Sequence, residues 1–564
     1  MLKPMMDLLE EIKTLMELKG ENPFKVRAFE KAAQSLEAVG EEEDWVGRAK
    51  KGTLTELPGI GKGISEVLTE FILKGQSSAL EELKSSLPEG LIELTQVPGL
   101  GPKKAMILIE ELQIKTIGEL EYACRENRLL KLKGFGDKLQ AKILEGIEFI
   151  SQTRGQQRLA DVFPSAEKLL QSLAKILNET RNSTGGDLTI VETGELRRRM
   201  ETLSRFDFLV ETLPGEKTTK KLEEKLYAEV ARFSMSEEKL GLPVYFHFAT
   251  RNQFGSTWVK TTGSDAHWGA VHRLLEFNKS QQSDSFKNEE EFYSRIHLPW
   301  IPPEMRETGE EIELAKKGKL DQLLPWNGIL GVFHNHTSES DGTATLEQMV
   351  KSARDLGYRY IGISDHSQSA FYAQGLTPDR LKLQEKEVKS VQEKYPDIRI
   401  FWGIESDILA DGSLDYPDSV LSKFDFVIGS IHSRFQMDRS TMTERMLQAI
   451  RHPKIRFIGH LTGRLLLGRK GYELDVERVI EEAAKYKVAI EINAHPQRMD
   501  IDWRYGSLLR KTNCMVSVNP DAHSTGELEN TKYGILVARK ALLSVQQVLN
   551  SKSVSEVEAW LKRS

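Results

Sequence analysis

Cysteine is nearly missing from this 564-residue chain, which holds only Cys124 and Cys514. Two thiols cannot build a disulfide framework or a thiolate zinc site, and their scarcity suits a reducing compartment. Long hydrophobic runs are missing as well. No stretch approaches the roughly 18–20 apolar residues of a membrane span, and the amphipathic start lacks the apolar block and cleavage site of a signal peptide. The sequence therefore predicts a soluble intracellular protein with no membrane partner. Nor is positive charge in excess: 78 Lys+Arg against 84 Asp+Glu leave a net charge of −6. With no global basic field, any contact with nucleic acid must be local.

What is present divides along the chain. The length implies several domains, and 39% hydrophobic residues supply more than one core. Met5, Leu8, Leu9, Ile12, Leu15 and Met16 follow the spacing of one buried helix face, and residues 23–150 continue as short helical patterns broken by Gly and Pro. Near residue 188 the character changes. Leu188–Thr193, Phe206–Val210 and Val244–Phe248 look like strands of a mixed sheet, with a helix around 218–233 and a polar loop from Ser280. Prolines at Pro299-Trp-Ile-Pro-Pro303 close that lobe. After a charged connector, seven apolar runs alternate with helical patterns: 328–333, 359–363, 398–404, 424–428, 456–459, 488–492 and 515–518. Seven such repeats argue for parallel βαβ units closed into a barrel.

Three segments repeat one design: Leu57-Pro-Gly-Ile-Gly-Lys-Gly63, Val97-Pro-Gly-Leu-Gly-Pro-Lys103 and Leu132-Lys-Gly-Phe-Gly-Asp-Lys138. The glycine pairs Gly59 and Gly61, Gly99 and Gly101, and Gly134 and Gly136 permit a tight turn and close approach of a ligand. The helix starting behind each turn aims free N–H groups at an anion, and Lys62, Lys103, Lys104 and Lys138 add positive charge there. One Gly-x-Gly can simply mark a helix end; three in succession point to backbone phosphates held without sequence readout.

Eight of the 12 histidines fall between His334 and His523, at the ends of the apolar runs. His334-Asn-His336 closes the first, with alternation putting both rings on one face, and Asp341 follows. Asp365-His366, Glu405, His432 and His460 end the second to fifth, and Asp521-Ala-His523 ends the seventh. In a (βα) barrel these strand ends meet at one rim. Six imidazoles, two aspartates and a glutamate without sulfur suit Zn²⁺, Mn²⁺ or Fe²⁺. Arg464 and Arg498 are candidate phosphate clamps that could equally pair with neighbouring acids. His495 could support the site or touch substrate, and His452 reads as solvated.

Several of these segments also carry a family resemblance. Asn22-Pro-Phe-Lys-Val-Arg-Ala-Phe-Glu-Lys-Ala-Ala33, the hairpins, Gly194-Glu-Leu-Arg-Arg-Arg-Met-Glu-Thr202, Phe254-Gly255, Thr262-Gly-Ser-Asp-Ala-His267 and Leu298-Pro-Trp-Ile-Pro-Pro-Glu304 resemble family X DNA polymerases. The last region resembles the PHP (polymerase and histidinol phosphatase) family, and the order is that of the bacterial PolX proteins. The resemblance implies a multidomain α/β chain. A helical DNA-binding domain (1–85) and a fingers-like hairpin domain (86–152) come first. A nucleotidyltransferase-like α+β palm (153–258) and thumb (259–306) follow, then a linker (307–326) and a distorted (βα)7 barrel (327–564). It further implies three divalent ions: one among His334, His336, Glu405 and Asp521, one among Glu405, His432 and His460, and one among Asp341, His366 and His523.

The palm departs from the family pattern. The family's Asp-x-Asp falls on Arg205-Phe206-Asp207, and its third aspartate falls on Tyr245. A cation in the first place turns attraction into repulsion of about 4 kcal/mol per unit charge at 4 Å and intermediate dielectric. Gly194-Glu195 replaces the triphosphate-binding Gly-Ser, Lys260-Thr261 replaces an aromatic pair, and Gly63 and Val67 stand where lyase-competent relatives carry lysines. The expectation is a monomeric DNA-repair phosphodiesterase of the bacterial cytoplasm. It would trim 3′ ends as a 3′→5′ exonuclease, or incise abasic sites, on gapped, nicked or primer-template DNA, with an inactive polymerase core. The alternatives are an active gap-filling polymerase, a DNA-binding scaffold with structural metals, or a histidinol-phosphate-type phosphatase.

Overall fold

The computed structural model describes residues 2–40, 43–126, 128–181, 188–213, 215–236, 240–277 and 285–562. The start of the polar loop expected from Ser280, residues 280–284, lies outside them. The chain forms two compact units, residues 1–154 and 155–564. Among the described residues, no helix is long and apolar enough to cross a membrane.

The first unit is helical. The expected face of Met5, Leu8, Leu9, Ile12, Leu15 and Met16 is the buried face of helix Leu2–Lys19. It packs on helix Pro23–Val39, which Asn22 caps by accepting from the Phe24 N–H. Farther on, a second core gathers Leu91, Leu94, Leu108, Leu120 and Ile143.

The second unit opens with helix Leu159–Arg181 and a three-stranded mixed sheet. Strand Phe206–Thr212 is central, antiparallel to Ile190–Thr193 and parallel to Val244–Thr250. Helix Phe254–Thr262 crosses the expected palm–thumb boundary at 258. The stretch 307–326, expected as a linker, is instead built into the fold. Helix Glu310–Lys316 buries Glu311, whose carboxylate accepts from His267 Nδ1 at 2.8 Å. Its charges have found partners, so the composition that suggested a solvated connector marks an ion-paired element.

Seven parallel strands follow in simple order: Gly331–Val332, Tyr360–Ile363, Arg399–Asp407, Phe426–Ser430, Ile455–Ile458, Ala489–Asn493 and Val516–Asn519. Each of the seven apolar runs became one of them. The barrel closes by a bridge between Asn335 and Ala522, where the His336 N–H donates to the Ala522 carbonyl at 2.8 Å. Phe333, Tyr360, Phe401, Phe426 and Phe457 form a buried aromatic cluster from five successive strands. Gly403 makes room for it, since a Cβ there would stand 2.3 Å from the Phe426 ring. This packed interior plugs the barrel and leaves its C-terminal rim for chemistry.

Candidate metal centre and nucleic-acid hairpins

The strand ends bring all nine expected ligands to one rim. His334 and His336 are fully buried, with ring centroids 5.2 Å apart. Glu405 is central. Its Oε1 lies 3.1 Å from His460 Nε2, 3.2 Å from His334 Nε2 and 3.3 Å from His432 Nε2, and its Oε2 lies 2.9 Å from His366 Nδ1. Asp521 Oδ1 sits 3.4 Å from His334 Nε2 and 3.3 Å from His336 Nε2. Asp341 reaches in from its loop, 3.4 Å from His523 Nε2 and 3.5 Å from His366 Nε2.

Three sets of side chains could each hold an ion: His336, Asp341, His366 and His523; His334, His336 and Asp521; and His366, Glu405 and His432. This partition differs from the one the resemblance implied. His366 faces two ways, Nε2 toward Asp341 and Nδ1 toward Glu405, and so borders two sets. His336 likewise borders two.

The donor chemistry fits divalent metal. Both ring nitrogens of His336, Nε2 of His334 and Oε2 of Glu405 are buried and make no hydrogen bond among the described residues. Buried polar atoms without partners are costly, and an ion would satisfy them together. Electrostatics agree. Burial alone would raise the Glu405 carboxyl, yet the charges of His432, His334 and His366 hold it well below its ordinary range. Burial, with His523 and His366 nearby, lowers His336 to about 4 and keeps its imidazole neutral, as a metal donor must be. His460 and Asp521 also carry positive φ, +22° and +54°, a strained backbone that persists only where surroundings enforce it.

The enforcing residues include two that sequence reasoning missed. Glu491 accepts from His334 Nδ1 at 2.7 Å and from the His460 backbone N–H at 2.7 Å, and Asp407 pairs with His432 Nδ1 at 2.6 Å. A carboxylate on the far nitrogen fixes the tautomer and leaves Nε2 to ligate. The signal was available: Glu491 and Asn493 flank an isoleucine in an otherwise apolar strand, and Glu405-Ser-Asp407 ends another apolar strand on three polar residues. Asp365 is buried and ties down the Asp341 loop, accepting from the Thr337 N–H at 2.7 Å and from Ser340 Oγ.

Arg498 stays beside the centre, Nε 3.6 Å from Asp521 Oδ2. Arg464 does not serve as the free clamp it could have been. Its guanidinium pairs with Asp502 and donates to the Arg498 and Met499 carbonyls, which occupies it structurally. His495 is half-buried and accepts from the Gln497 N–H, and His452, expected to be solvated, pairs with Asp418 at 3.1 Å.

The hairpins share one geometry. Gly59, Gly99 and Gly134 all adopt φ between +77° and +88°. In each turn the next residue, Ile60, Leu100 or Phe135, is buried and donates its N–H back to the carbonyl of Leu57, Val97 or Leu132. Helices then start at Lys62, Pro102 and Asp137 with no side-chain cap, and a Cβ at Gly61, Gly101 or Gly136 would meet open space. Lys62, Lys103 and Lys138 are exposed beside these helix starts, and Lys104 is half-buried.

In the three-stranded sheet, Asp207 is buried and its carboxylate is taken: Oδ2 pairs with Arg205 Nε at 2.8 Å and Oδ1 with His247 Nε2 at 2.8 Å. Tyr245 is the register partner of Asp207 on the neighbouring strand, and its ring lies under the Arg205 guanidinium, 5.1 Å away. Alternation puts Tyr245 and His247 on the same face as Asp207, and neither is an acid.

Comparison with known proteins gives three domain matches: a helix-hairpin-helix domain over residues 3–77, a SAM-like helix-hairpin-helix tandem over 91–148, and a PHP domain over 333–495. The whole chain also aligns with 99% of the DNA polymerase/3′-5′ exonuclease PolX of Bacillus subtilis, at 35% identity. The chain belongs to the PolX family. Parts of the chain are also similar to probable phosphatases of Caldicellulosiruptor saccharolyticus (34% identity; 28% of this chain, 64% of the relative) and Thermoanaerobacter sp. (27%; 41% and 93%). PHP domains are metal-dependent, in keeping with the clustered donors.

Proposed function

We propose that this chain hydrolyses phosphodiester bonds of DNA at the rim of its C-terminal barrel. The reaction is 3′→5′ exonucleolytic trimming, extending to incision at abasic sites. The carrying observation is the convergence of nine ligand-competent side chains from six strand ends around Glu405. Three divalent ions, Zn²⁺, Mn²⁺ or Fe²⁺, would be held by His334, His336, Asp341, His366, Glu405, His432, His460, Asp521 and His523. When bound, such ions lower the pKa of water and polarise a phosphoryl oxygen.

The chain's own residues do the rest. Glu491 and Asp407 orient imidazoles, and Arg498 offers a guanidinium to a phosphate oxygen beside Asp521. The three hairpins hold the DNA backbone through free helix N-termini and Lys62, Lys103, Lys104 and Lys138. The protein acts as a monomer, with the domain roles the resemblance implied. The direction of cleavage is carried over from the name of the Bacillus relative, a DNA polymerase/3′-5′ exonuclease.

That name also carries polymerase activity, which we do not extend to this chain. Arg205 and His247 occupy the Asp207 carboxylate, and no acid faces it from the neighbouring strand. Digestion of 3′-labelled primer-template with Mn²⁺, combined with elemental analysis, tests the reading. Stepwise shortening and near three ions per chain are expected, with no incorporation into a single-nucleotide gap. Inert protein, or robust incorporation, refutes the corresponding half.

A further inference from the structure

The Gly194–Thr202 motif ends beside a residue that the nuclease reading leaves unused. Glu201, in the polymerase-like lobe, is buried at 6% exposure, and its carboxylate faces the barrel. Oε1 accepts from Arg504 at 2.6 Å and Oε2 from the Trp503 indole N–H at 3.1 Å. Arg504 also bonds both oxygens of Asp502 at 3.0 Å, and Asp502 pairs with Arg464. Arg464 in turn binds the carbonyls of Arg498 and Met499. The neighbouring Asp500 accepts from the Thr462 and Gly463 N–H groups at 2.9 Å, so the loops 460–464 and 498–502 are laced together. These loops carry His460, whose φ is strained, and Arg498, the guanidinium beside Asp521.

We propose that Glu201 is a positioning residue for the metal centre: through Arg504, Asp502 and Arg464 it fixes the loop bearing His460 and the loop bearing Arg498. The polymerase-like lobe thereby serves the hydrolytic site as part of its scaffold. Three features support this. The chain of contacts is continuous as far as His460, whose carbonyl accepts from the Gly463 N–H at 2.9 Å and whose backbone needs enforcement. One apolar core runs from Leu203 and Phe206 of the lobe into the barrel around Leu461, so the two are packed on common ground. Finally, although burial would raise it, the charges of Arg504, Arg464 and Lys540 hold the Glu201 carboxyl at about 2, and it stays an anion at neutral pH.

The inference rests on the metal-dependent reading of the barrel and is tested on the full chain by calorimetric Mn²⁺ titration alongside hydrolysis of 3′-labelled DNA. In Glu201→Gln, Arg504 keeps only Asp502 as its anion and draws it from Arg464. Mn²⁺ binding at one site is expected to weaken about tenfold, as for other losses of ligand-supporting contacts. The kcat should fall by about the same factor while KM for DNA changes less than about twofold. Glu201→Asp should restore part of both. Arg504→Gln, altered at a half-exposed side chain, should reproduce the effect, and the double variant should be no worse than the worse single one.

Glu304→Gln removes a carboxylate that pairs with Arg539 at the same lobe boundary but away from these loops, and should leave Mn²⁺ binding unchanged. Unaltered Mn²⁺ affinity in Glu201→Gln and Arg504→Gln, or an equal loss in Glu304→Gln, overturns the inference. A wild-type chain that binds Mn²⁺ without cutting DNA would defeat the nuclease reading alone, since the titration still decides the role of Glu201.

Discussion

Replacing Glu491 by glutamine changes one oxygen into an NH₂ group and removes one charge, at a position where every neighbour is a donor. Oε1 accepts from His334 Nδ1 at 2.7 Å and Asn519 Nδ2 at 3.0 Å; Oε2 accepts from the His460 N–H at 2.7 Å and Asn493 Nδ2 at 3.1 Å. If the new NH₂ faces His460, a backbone N–H and an amide lose their acceptor. Each buried donor left unpaired costs about 1–3 kcal/mol. If it faces His334, the imidazole must accept at Nδ1 and carry its proton on Nε2, the nitrogen aimed at Glu405 and Asp521. That tautomer cannot ligate. The first orientation predicts a loss of stability of about 2–6 kcal/mol and the second about 1–3 kcal/mol, and either predicts metal binding weakened about 10–100-fold. Thermal melts of the chelated protein and Mn²⁺ calorimetry read the two effects separately, and digestion of 3′-labelled DNA should fall with the second. A Glu491→Gln protein with wild-type melting temperature and wild-type Mn²⁺ affinity would refute the role assigned to this carboxylate.

Chelation should expose a pH dependence. Against the effect of burial, Asp341 and Asp521 raise His523 to about 9, and the charges of Glu491, Asp521 and Glu405 hold His334 well above its ordinary value. A raised histidine stabilises fully below its unfolded pKa of about 6.5, so the melting temperature in EDTA should fall between pH 6.5 and 9, and saturating Mn²⁺ should flatten that slope. Changing Lys62, Lys103 and Lys138 together to glutamine should weaken binding to DNA duplexes of any sequence and lower the salt slope of log K by about one per lysine that meets a phosphate; an unchanged slope would remove the hairpins from the interface. Glu289 accepts paired bonds from both Arg197 and Arg306 in the interior. Glu289→Gln should therefore destabilise the second unit by about 3–5 kcal/mol, the usual result of leaving buried charge uncompensated, as denaturant melts would show.

Much of the barrel and its site could be read from the chain because both follow short-range rules. Seven apolar runs at βαβ spacing gave seven strands; His334 and His336 were visible because alternation at a strand end sets the face of each side chain, and Asp521 and His523 because they end the seventh run. The turns at Gly59, Gly99 and Gly134 were equally local, since positive φ belongs to the residue itself. Other features depended on what folding brings near. Arg464 was equally plausible as a phosphate clamp or an ion-pair member; the approach of Asp502 and two carbonyls decided it. The segment 307–326 read as a connector because its charges had no visible partners until His267 met Glu311 and Arg510 met Glu310.

The sequence by itself determined the elements, their order, and the kinds of ligand available at each strand end, because periodicity and turn chemistry act within a few residues. Only the tertiary structure decided which donors lie close enough to share an ion, that Glu491 and Asp407 hydrogen-bond their imidazoles, that Arg205 and His247 occupy the Asp207 carboxylate, and that Glu201 reaches across to Arg504. Those outcomes are set by distances of a few ångströms between residues as much as 300 positions apart, and charge interactions at such range depend on burial that no local pattern encodes.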